Sequence, residues 1–277
     1  MTSLHFSKMQ GLGNDFMVVD ATKKPFEFSS AQIQQWADRH FGIGFDQLLV
    51  VEATQTVGVD FRYRIFNADG SEVQQCGNGA RCFARFVYDK GLTDKTEITV
   101  ETASGIIVLY VTDSGVRVNM GRPNFAPNAL PFMADEQAPQ YQIDVAGGSY
   151  QIGAVSMGNP HAVMQVEDIE TAPVPELGKA LESHSRFPER VNVGFAQVMS
   201  SNAVKLRVYE RGAAETLACG TGACAAMVVL RAWGLVDDTV TISLPGGDLE
   251  ICWGGSAEDV VWMTGPAVTV FEGSIAL

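Results

Sequence analysis

Residues 76–80 read Cys-Gly-Asn-Gly-Ala, and residues 219–223 read Cys-Gly-Thr-Gly-Ala, about half the chain length later. Each segment has a thiol, a Gly-x-Gly turn and an Ala-rich apolar run that predicts a helix. The flanks repeat too, since Phe66-Asn67 and Tyr209-Glu210 precede the two cysteines by the same distance. A duplicated unit with one thiol per copy predicts two halves facing one site. Two thiols on opposite faces of a carbon can exchange its proton, which is the chemistry of a racemase or epimerase.

The composition is that of a globular protein, with 277 residues of which 46% are hydrophobic. A net charge of −13 with scattered basic residues argues against a nucleic-acid partner. No apolar run approaches the roughly 18 residues of a membrane span, and no export signal is present, so we expect no membrane partner and a cytoplasmic location. Five cysteines, an odd number, indicate reduced thiols rather than a disulfide framework.

The order of predicted elements divides the chain into two domains. A segment rich in proline and asparagine at 122–131 predicts the boundary, which gives domains 1–123 and 124–265, with a tail at 266–277 that can return to the first. Each half has many short strands and one apolar helix, at 80–90 and 223–233, that a glycine ends. The fold class is therefore α/β (α+β), with two similar, pseudo-symmetric domains. In each, a curled mixed sheet surrounds a central helix.

A cysteine at a helix start has a distinctive chemistry. The first N–H groups of a helix lack intrahelical partners, so they can hold a carboxylate. The helix dipole also predicts a lowered thiol pKa at Cys76 and Cys219. The alternative is that both are buried spacers in glycine turns. No phosphate-binding motif for a nucleotide appears, and we expect no cofactor.

A zinc site is a competing interpretation of the cysteines. The spacings from Cys76 to Cys82 and from Cys219 to Cys224 miss the usual short knuckle. We interpret Cys82, Cys224 and Cys252 as packing residues and predict no metal. A redox sensor or metal-binding protein stays open as a non-enzymatic alternative, which metal analysis of the reduced protein would test.

Several polar residues accompany the repeated motifs. Asn14, Asn67, Asn159 and Asn192 lie in loops near them, and four such amides favour a ligand-binding shell over separate turns. In the Glu210-Arg211 pair, the guanidinium suits a carboxylate and the carboxylate suits an ammonium. His161 is placed to hold a neighbouring thiol in the required protonation state.

The chain resembles the bacterial diaminopimelate epimerases over its whole length. The motifs that carry the resemblance occur in order at 11–16, 66–71, 76–82, 158–161, 209–212 and 218–222. The resemblance implies a pyridoxal-free and metal-free conversion of LL-2,6-diaminopimelate to the meso form, on the route to lysine and peptidoglycan. It further implies two similar α/β domains with the site in the cleft between them, and a cytoplasmic homodimer.

By the same resemblance, Cys76 and Cys219 are the acid/base pair, and His161 and Glu210 tune the pKa of the thiols. The residues implied to hold the reacting carboxylate are Gly77, Asn78, Gly220 and Thr221. Those implied to line the substrate are Asn14, Gln47, Asn67, Asn159, Asn192, Glu210 and Arg211. Many family members have a tyrosine near the C-terminus that supports the dimer, and this chain has Phe271 there.

Related cofactor-free racemases that act on proline or hydroxyproline are the nearest alternative among enzymes. They have similar cysteine turns but typically a different residue after the first Cys-Gly. The amide-rich shell and Arg211 favour a substrate with a polar second end.

Overall fold

The computed structural model describes residues 3–25, 27–73 and 77–277. The chain forms two compact units, one of residues 1–119 with 264–277 and the other of residues 120–263. Cys76, one member of the predicted acid/base pair, lies outside the described residues. The other site residues predicted from the sequence are described.

The first unit is a mixed sheet with two helices. Its elements up to residue 119 are β1 (Ser3–Gly11), β2 (Asn14–Asp20), α1 (Ser30–Ala37), β3 (Gln47–Glu52), β4 (Phe61–Asn67), β5 (Glu72–Val73), α2 (Gly77–Asp89), β6 (Glu97–Thr102), β7 (Gly105–Thr112) and β8 (Gly115–Asn119). The strands follow the order β1-β2-β3-β4-β6-β7-β8, and β5 pairs with β4. The β2–β3 and β4–β6 pairs are parallel, and the others are antiparallel.

The second unit repeats this arrangement. After a short 3-10 turn at Pro127–Ala129, its elements are β9 (Tyr141–Val145), β10 (Gly148–Ser156), β11 (Pro160–Gln165), α3 (Val174–Glu182), β12 (Asn192–Ser200), β13 (Ala203–Glu210), β14 (Ala214–Thr216), α4 (Gly220–Ala232), β15 (Thr239–Leu244) and β16 (Gly247–Cys252). Strand β17 (Trp262–Gly265) begins in this unit, and its last two residues belong to the first. The parallel pairs are β11–β12 and β13–β15, which correspond to the two parallel pairs of the first unit. The duplication in the sequence is therefore a duplication of topology.

One helix occupies the centre of each unit. Helix α4 is buried without interruption from Gly222 to Leu230 and contacts strands β10 to β13, β15 and β16. Helix α2 contacts β1, β2, β3, β7 and β8 of its own unit. A helix that is apolar on all sides requires burial on all sides. The sheet curls around it, and the predicted fold class is confirmed.

A second core lies on the outer face of each sheet. Met17 and Val19 of β2 pack with Ile33 and Trp36 of α1, and α3 has the equivalent place in the second unit. The residues Phe16 to Val19 are all fully buried, because both faces of this strand are covered. Each sheet is covered by the central helix on one face and by α1 or α3 on the other, and this packing fixes the strand ends that carry the polar residues.

The C-terminal strand belongs to the first unit. Strand β18 (Val268–Ala276) pairs with β1 in antiparallel register, from Ser3 opposite Ala276 to Gln10 opposite Val268. Phe271 is half-exposed on this strand and contacts the edge of the Phe6 ring at a centroid distance of 6.1 Å. Within the described ranges, no helix has the length and apolar character needed to cross a membrane.

Candidate active site

Cys219 caps the N-terminus of α4. Its backbone is extended and the helix begins at the next residue, Gly220, so Gly220 and Thr221 occupy the first two helical positions. The sulfur is buried and donates a hydrogen bond to Oε2 of Glu210 at 2.9 Å. The hydroxyl of Thr221 lies 3.7 Å from the same sulfur. The thiol is thus enclosed by a carboxylate, a hydroxyl and the positive end of a helix.

The carboxylate of Glu210 is held in place by the β13–β14 hairpin. Glu210 is the last residue of β13 and pairs with Ala214, which places Thr216 on the same short hairpin. The hydroxyl of Thr216 donates to Oε1 of Glu210 at 2.5 Å, and Oε2 accepts from Cys219. Each carboxylate oxygen therefore has one partner. Thr216 is a site contact that the sequence motifs do not indicate.

The pKa of Cys219 differs from the sequence expectation. The helix N-terminus predicted a lowered pKa, but in the structure the pKa is raised well above its ordinary value. Burial has the largest effect, and the charge and hydrogen bond of Glu210 raise it further. Thr221 and the N–H of Gly222 act in the opposite direction but are outweighed. The prediction was wrong for Cys219 because a buried carboxylate contact is not visible in a local motif.

His161 is a neutral base beside the same helix. Its Nε2 lies 3.0 Å from Oδ1 of Asn159, and Nδ2 of Asn159 donates to the hydroxyl of Thr221 at 3.3 Å. Since Oδ1 only accepts, Nε2 carries the proton and Nδ1 has a lone pair. Burial, together with the charge of Arg211, lowers the pKa of His161 to about 3. The imidazole is therefore uncharged at neutral pH.

Asn192 connects the His161 strand to the Glu210 strand. It lies opposite His161 in the parallel β11–β12 register, and its Nδ2 donates to the carbonyl of Pro160 at 3.0 Å. Its Oδ1 accepts from the backbone N–H of Arg211 at 2.9 Å. The guanidinium of Arg211 is exposed and donates to the carbonyl of Glu189 at 3.1 Å. Asn192 is therefore a structural link as well as a candidate binding residue.

The first unit brings together the remaining predicted residues. Gln47 and Asn67 are opposite each other in the β3–β4 register, and Nε2 of Gln47 donates to Oδ1 of Asn67 at 3.0 Å. Asn78, the second residue of α2 after Gly77, donates to Oδ1 of Asn14 at 3.4 Å. By topology Asn67 corresponds to Glu210, since both end the strand before the short hairpin. An amide thus stands in the first unit where the second has a carboxylate.

The second glycine of each motif lies in close contact with the strand beneath the helix. A Cβ on Gly79 would lie 2.4 Å from the hydroxyl of Tyr63, and one on Gly222 would lie 3.0 Å from Cγ2 of Val208. Both helices begin at the first glycine of the motif, not at the alanine after it as predicted. These glycines adopt helical geometry and let the helix start approach the strand beneath it. Their role is to allow this close approach of the backbone.

Three buried polar atoms of the predicted site residues lack hydrogen-bond partners within the described part of the chain. They are Oε1 of Gln47, Oδ1 of Asn78 and Nδ1 of His161. Buried polar atoms in native proteins are almost always paired. Two of these atoms lie on predicted substrate-binding residues and the third on a predicted pKa-tuning residue, so all three are available to a polar ligand.

A family model described as diaminopimelate epimerase matches residues 6–126 and 153–270, which cover both repeats. The chain belongs to the diaminopimelate epimerase family. It is 60% identical over 275 residues to the diaminopimelate epimerase of Pseudomonas entomophila (strain L48), with 99% of each chain covered. It is 57% identical to that of Neisseria meningitidis serogroup A, covering 100% of this chain and 99% of the relative. The predicted family and enzyme class, an isomerase, are confirmed.

Solved structures show the same fold at low sequence identity. A PhzF-family phenazine biosynthesis protein from Bacillus anthracis superimposes with a TM-score of 0.70 at 16% identity, with 100% of both chains covered. A hydroxyproline epimerase from Agrobacterium vitis superimposes with a TM-score of 0.68 at 17% identity, covering 99% of this chain and 93% of that one. The fold of the diaminopimelate epimerase family is thus shared with other enzymes.

Proposed function

We propose that the chain converts LL-2,6-diaminopimelate into the meso form by a two-base mechanism, with Cys76 and Cys219 as the acid/base pair. The reaction follows from family membership and from the name shared by the curated relatives. The observation that carries the mechanism is the placement of Cys219, a buried thiol at a helix N-terminus in contact with Glu210. A thiol held in this way, among polar side chains, is suited to donate a proton to the substrate.

Cys219 rests in the protonated form in this proposal. Burial and the carboxylate of Glu210 raise its pKa, so the thiol keeps its proton at neutral pH. A proton exchange at carbon needs one base and one acid, and Cys76 is then the thiolate that removes the α-proton. Cys219 delivers its proton to the opposite face of the carbon. In the reverse reaction the two cysteines exchange roles.

The negative charge formed when the α-proton leaves is stabilised by backbone N–H groups. Gly220 and Thr221 are the first residues of α4, and Gly77 and Asn78 are the first of α2, so their N–H groups have no intrahelical partner. Donors fixed in position before the reaction cost no reorganisation when charge develops on a carboxylate. We propose that these residues hold the reacting carboxylate.

The rest of the substrate is held by amides and charged groups. The unpaired atoms of Gln47, Asn78 and His161 are satisfied by polar groups of the substrate in this proposal. Arg211, whose guanidinium is exposed, suits the second carboxylate of diaminopimelate. The other proposed contacts are Asn14, Asn67, Asn159, Asn192 and Glu210.

The cellular setting follows from the same family. We propose that the chain acts in the cytoplasm on the route to lysine and peptidoglycan precursors, without a cofactor, as a homodimer in which Phe271 takes part. The exposed side chains of Val268, Val270 and Phe271 on β18 support a contact at this strand. We also propose residues 1–123, with the tail 266–277, and 124–265 as the two domains.

Chiral chromatography of LL-2,6-diaminopimelate incubated with the reduced protein tests the proposal. The wild-type chain is expected to form the meso isomer, and Cys76→Ala and Cys219→Ala are each expected to abolish turnover. Cys252→Ala is the matched control, because Cys252 is a half-buried free cysteine on β16. Full turnover by either active-site variant would overturn the two-thiol mechanism. Turnover of proline or hydroxyproline in place of diaminopimelate would overturn the substrate.

A further inference from the structure

A cluster of four charged residues in the first unit contacts Asn14, and the mechanism above assigns it no role. It consists of Lys8, Asp15, Arg39 and Asp46, called here the ion cluster. Nζ of Lys8 lies 2.6 Å from Oδ2 of Asp15. Arg39 donates to both oxygens of Asp15, at 2.9 and 2.8 Å, and to Oδ1 of Asp46 at 2.7 Å. The cluster ends at Asp46, the residue before Gln47.

Asp46 fixes the side-chain amide of Asn14. Its Oδ1 is bound by Arg39, and its Oδ2 accepts from Nδ2 of Asn14 at 2.9 Å and from the N–H of Asp15 at 3.2 Å. On the other side, Oδ1 of Asn14 accepts from Nδ2 of Asn78. The carboxylate accepts only, so the nitrogen of the Asn14 amide must face Asp46 and the oxygen must face Asn78. The orientation of the amide is therefore defined.

The second unit holds the equivalent amide by different means. Asn159 contacts Thr221 on one side and His161 on the other. Thr221 and Asn78 are both second residues of their helices, so these two contacts correspond. In the second unit, His161 lies opposite Asn192, the first residue of the parallel strand β12. In the first unit, the equivalent residue is Phe16, which lies opposite Gln47, the first residue of the parallel strand β3. The phenyl ring of Phe16 has no nitrogen or oxygen with which to hydrogen-bond the Asn14 amide. Asp46 provides that hydrogen bond instead.

The solvent exposure of the side chains in the ion cluster indicates which of them stabilise the fold. The side chains of Arg39 and Asp46 are 55% and 44% exposed, and an ion pair in that setting contributes little to stability. Lys8 and Asp15 are 10% and 16% exposed and anchor the cluster to the unit. Asp46 is therefore better placed to hold a neighbouring side chain than to hold the fold.

We propose that Asp46 is a positioning residue for the epimerisation, holding the Asn14 amide in its substrate-binding orientation. The inference rests on the proposed function, because it takes Asn14 as a substrate contact. Loss of one neutral-to-charged hydrogen bond has a moderate effect, so we expect KM for LL-diaminopimelate to rise about fivefold or more in Asp46→Ala. The value of kcat is expected to change less, since Asp46 touches no reacting atom.

A double-mutant cycle tests the inference with wild type, D46A, N14A and D46A/N14A, each assayed for kcat and KM on LL-diaminopimelate. If Asp46 acts through Asn14, the double variant is expected to match N14A within about twofold, because coupled residues are not additive. Asp46→Asn keeps one oxygen that accepts from Asn14 but turns its NH2 group toward the Arg39 guanidinium, so its KM is expected to lie between those of wild type and D46A. Asp60→Ala is the matched control, since Asp60 pairs with Lys95 elsewhere in the same unit.

The outcomes separate this inference from the function on which it rests. An unchanged KM in D46A, multiplied effects in the double variant, or an equal loss in D46N and D46A would each overturn the positioning role while wild-type activity stands. A wild-type chain that does not epimerise diaminopimelate would instead overturn the proposed function. Asp46→Ser removes the same side-chain contact and replaces D46A in the cycle if that variant does not fold.

Discussion

Replacing Glu210 by Gln is expected to increase the reactivity of the Cys219 thiol. The sulfur and Oε2 of Glu210 are 2.9 Å apart. At this separation the repulsion between a thiolate and a carboxylate is ~1.4 kcal/mol with the dielectric constant of water and ~6 kcal/mol with an effective value of about 20. A change of about 1.4 kcal/mol alters the thiolate fraction tenfold below the pKa. Glu210→Gln removes this repulsion, so the thiolate fraction is expected to rise at least about tenfold.

The assay is alkylation of Cys219 by iodoacetamide as a function of pH, followed by mass spectrometry of its peptide. The thiolate is the reacting form, so the rate at pH 8 is expected to increase about tenfold or more in Glu210→Gln, with the pH midpoint moved downward. Glu215→Gln is the control, because Glu215 lies on the same hairpin and its carboxylate is bound by Arg207. An unchanged or slower rate in Glu210→Gln, with an unchanged midpoint, would refute the electrostatic account of Cys219.

Three further predictions concern the pH dependence, the helix start and the dimer. The pKa of His161 is about 3 in the folded chain and 6.5 for an unperturbed histidine, which stands for the unfolded chain. On acidification the unfolded chain therefore binds a proton before the folded chain does, and this destabilises the fold. Wild type is therefore expected to lose about 1.4 kcal/mol more stability than His161→Gln between pH 7.5 and 5.5 in urea titrations, and equal losses would contradict a buried neutral imidazole. Gly79→Ala is expected to cost ~1–3 kcal/mol in the same titrations, because its Cβ meets the Tyr63 hydroxyl at 2.4 Å, whereas Gly194→Ala, with contacts of 3.5 Å or more, is expected to cost less. If the protein is the homodimer proposed above, Phe271→Asp is expected to shift it toward monomer in sedimentation velocity, and a sedimentation coefficient equal to that of wild type would contradict the proposed role of Phe271.

The repeat and the apolar periodicity were sufficient to predict the fold. Strand Glu97–Thr102 alternates between buried and less buried residues, as a strand with one covered face does, and both predicted central helices are present. Their first turns were not predicted, because glycine disfavours helices in isolation. In the folded chain, a Cβ at position 79 would lie 2.4 Å from the Tyr63 hydroxyl, and this close contact favours glycine. Tertiary packing overrides the local preference there.

The candidate site was predictable in its residue types and not in its electrostatics. The glycine turns and amides are visible in the sequence, and they lie where the strands and helices of each repeat end. The raised pKa of Cys219 was missed, because it depends on burial and on a carboxylate that the β13–β14 hairpin places beside the sulfur. Thr216 and Asp46 were missed for the same reason. Strand register and chain reversal bring them to the site, and no local motif contains them.

Proton NMR of LL-diaminopimelate with the reduced protein in D2O tests the two-base mechanism most directly. One thiol removes the substrate proton and the other delivers a deuteron from solvent. At early conversion the meso product is therefore expected to carry deuterium at the inverted carbon, while the remaining LL substrate keeps its proton. Meso product that retains the original proton at that carbon would show that a single group moves the proton between faces, and would contradict the account.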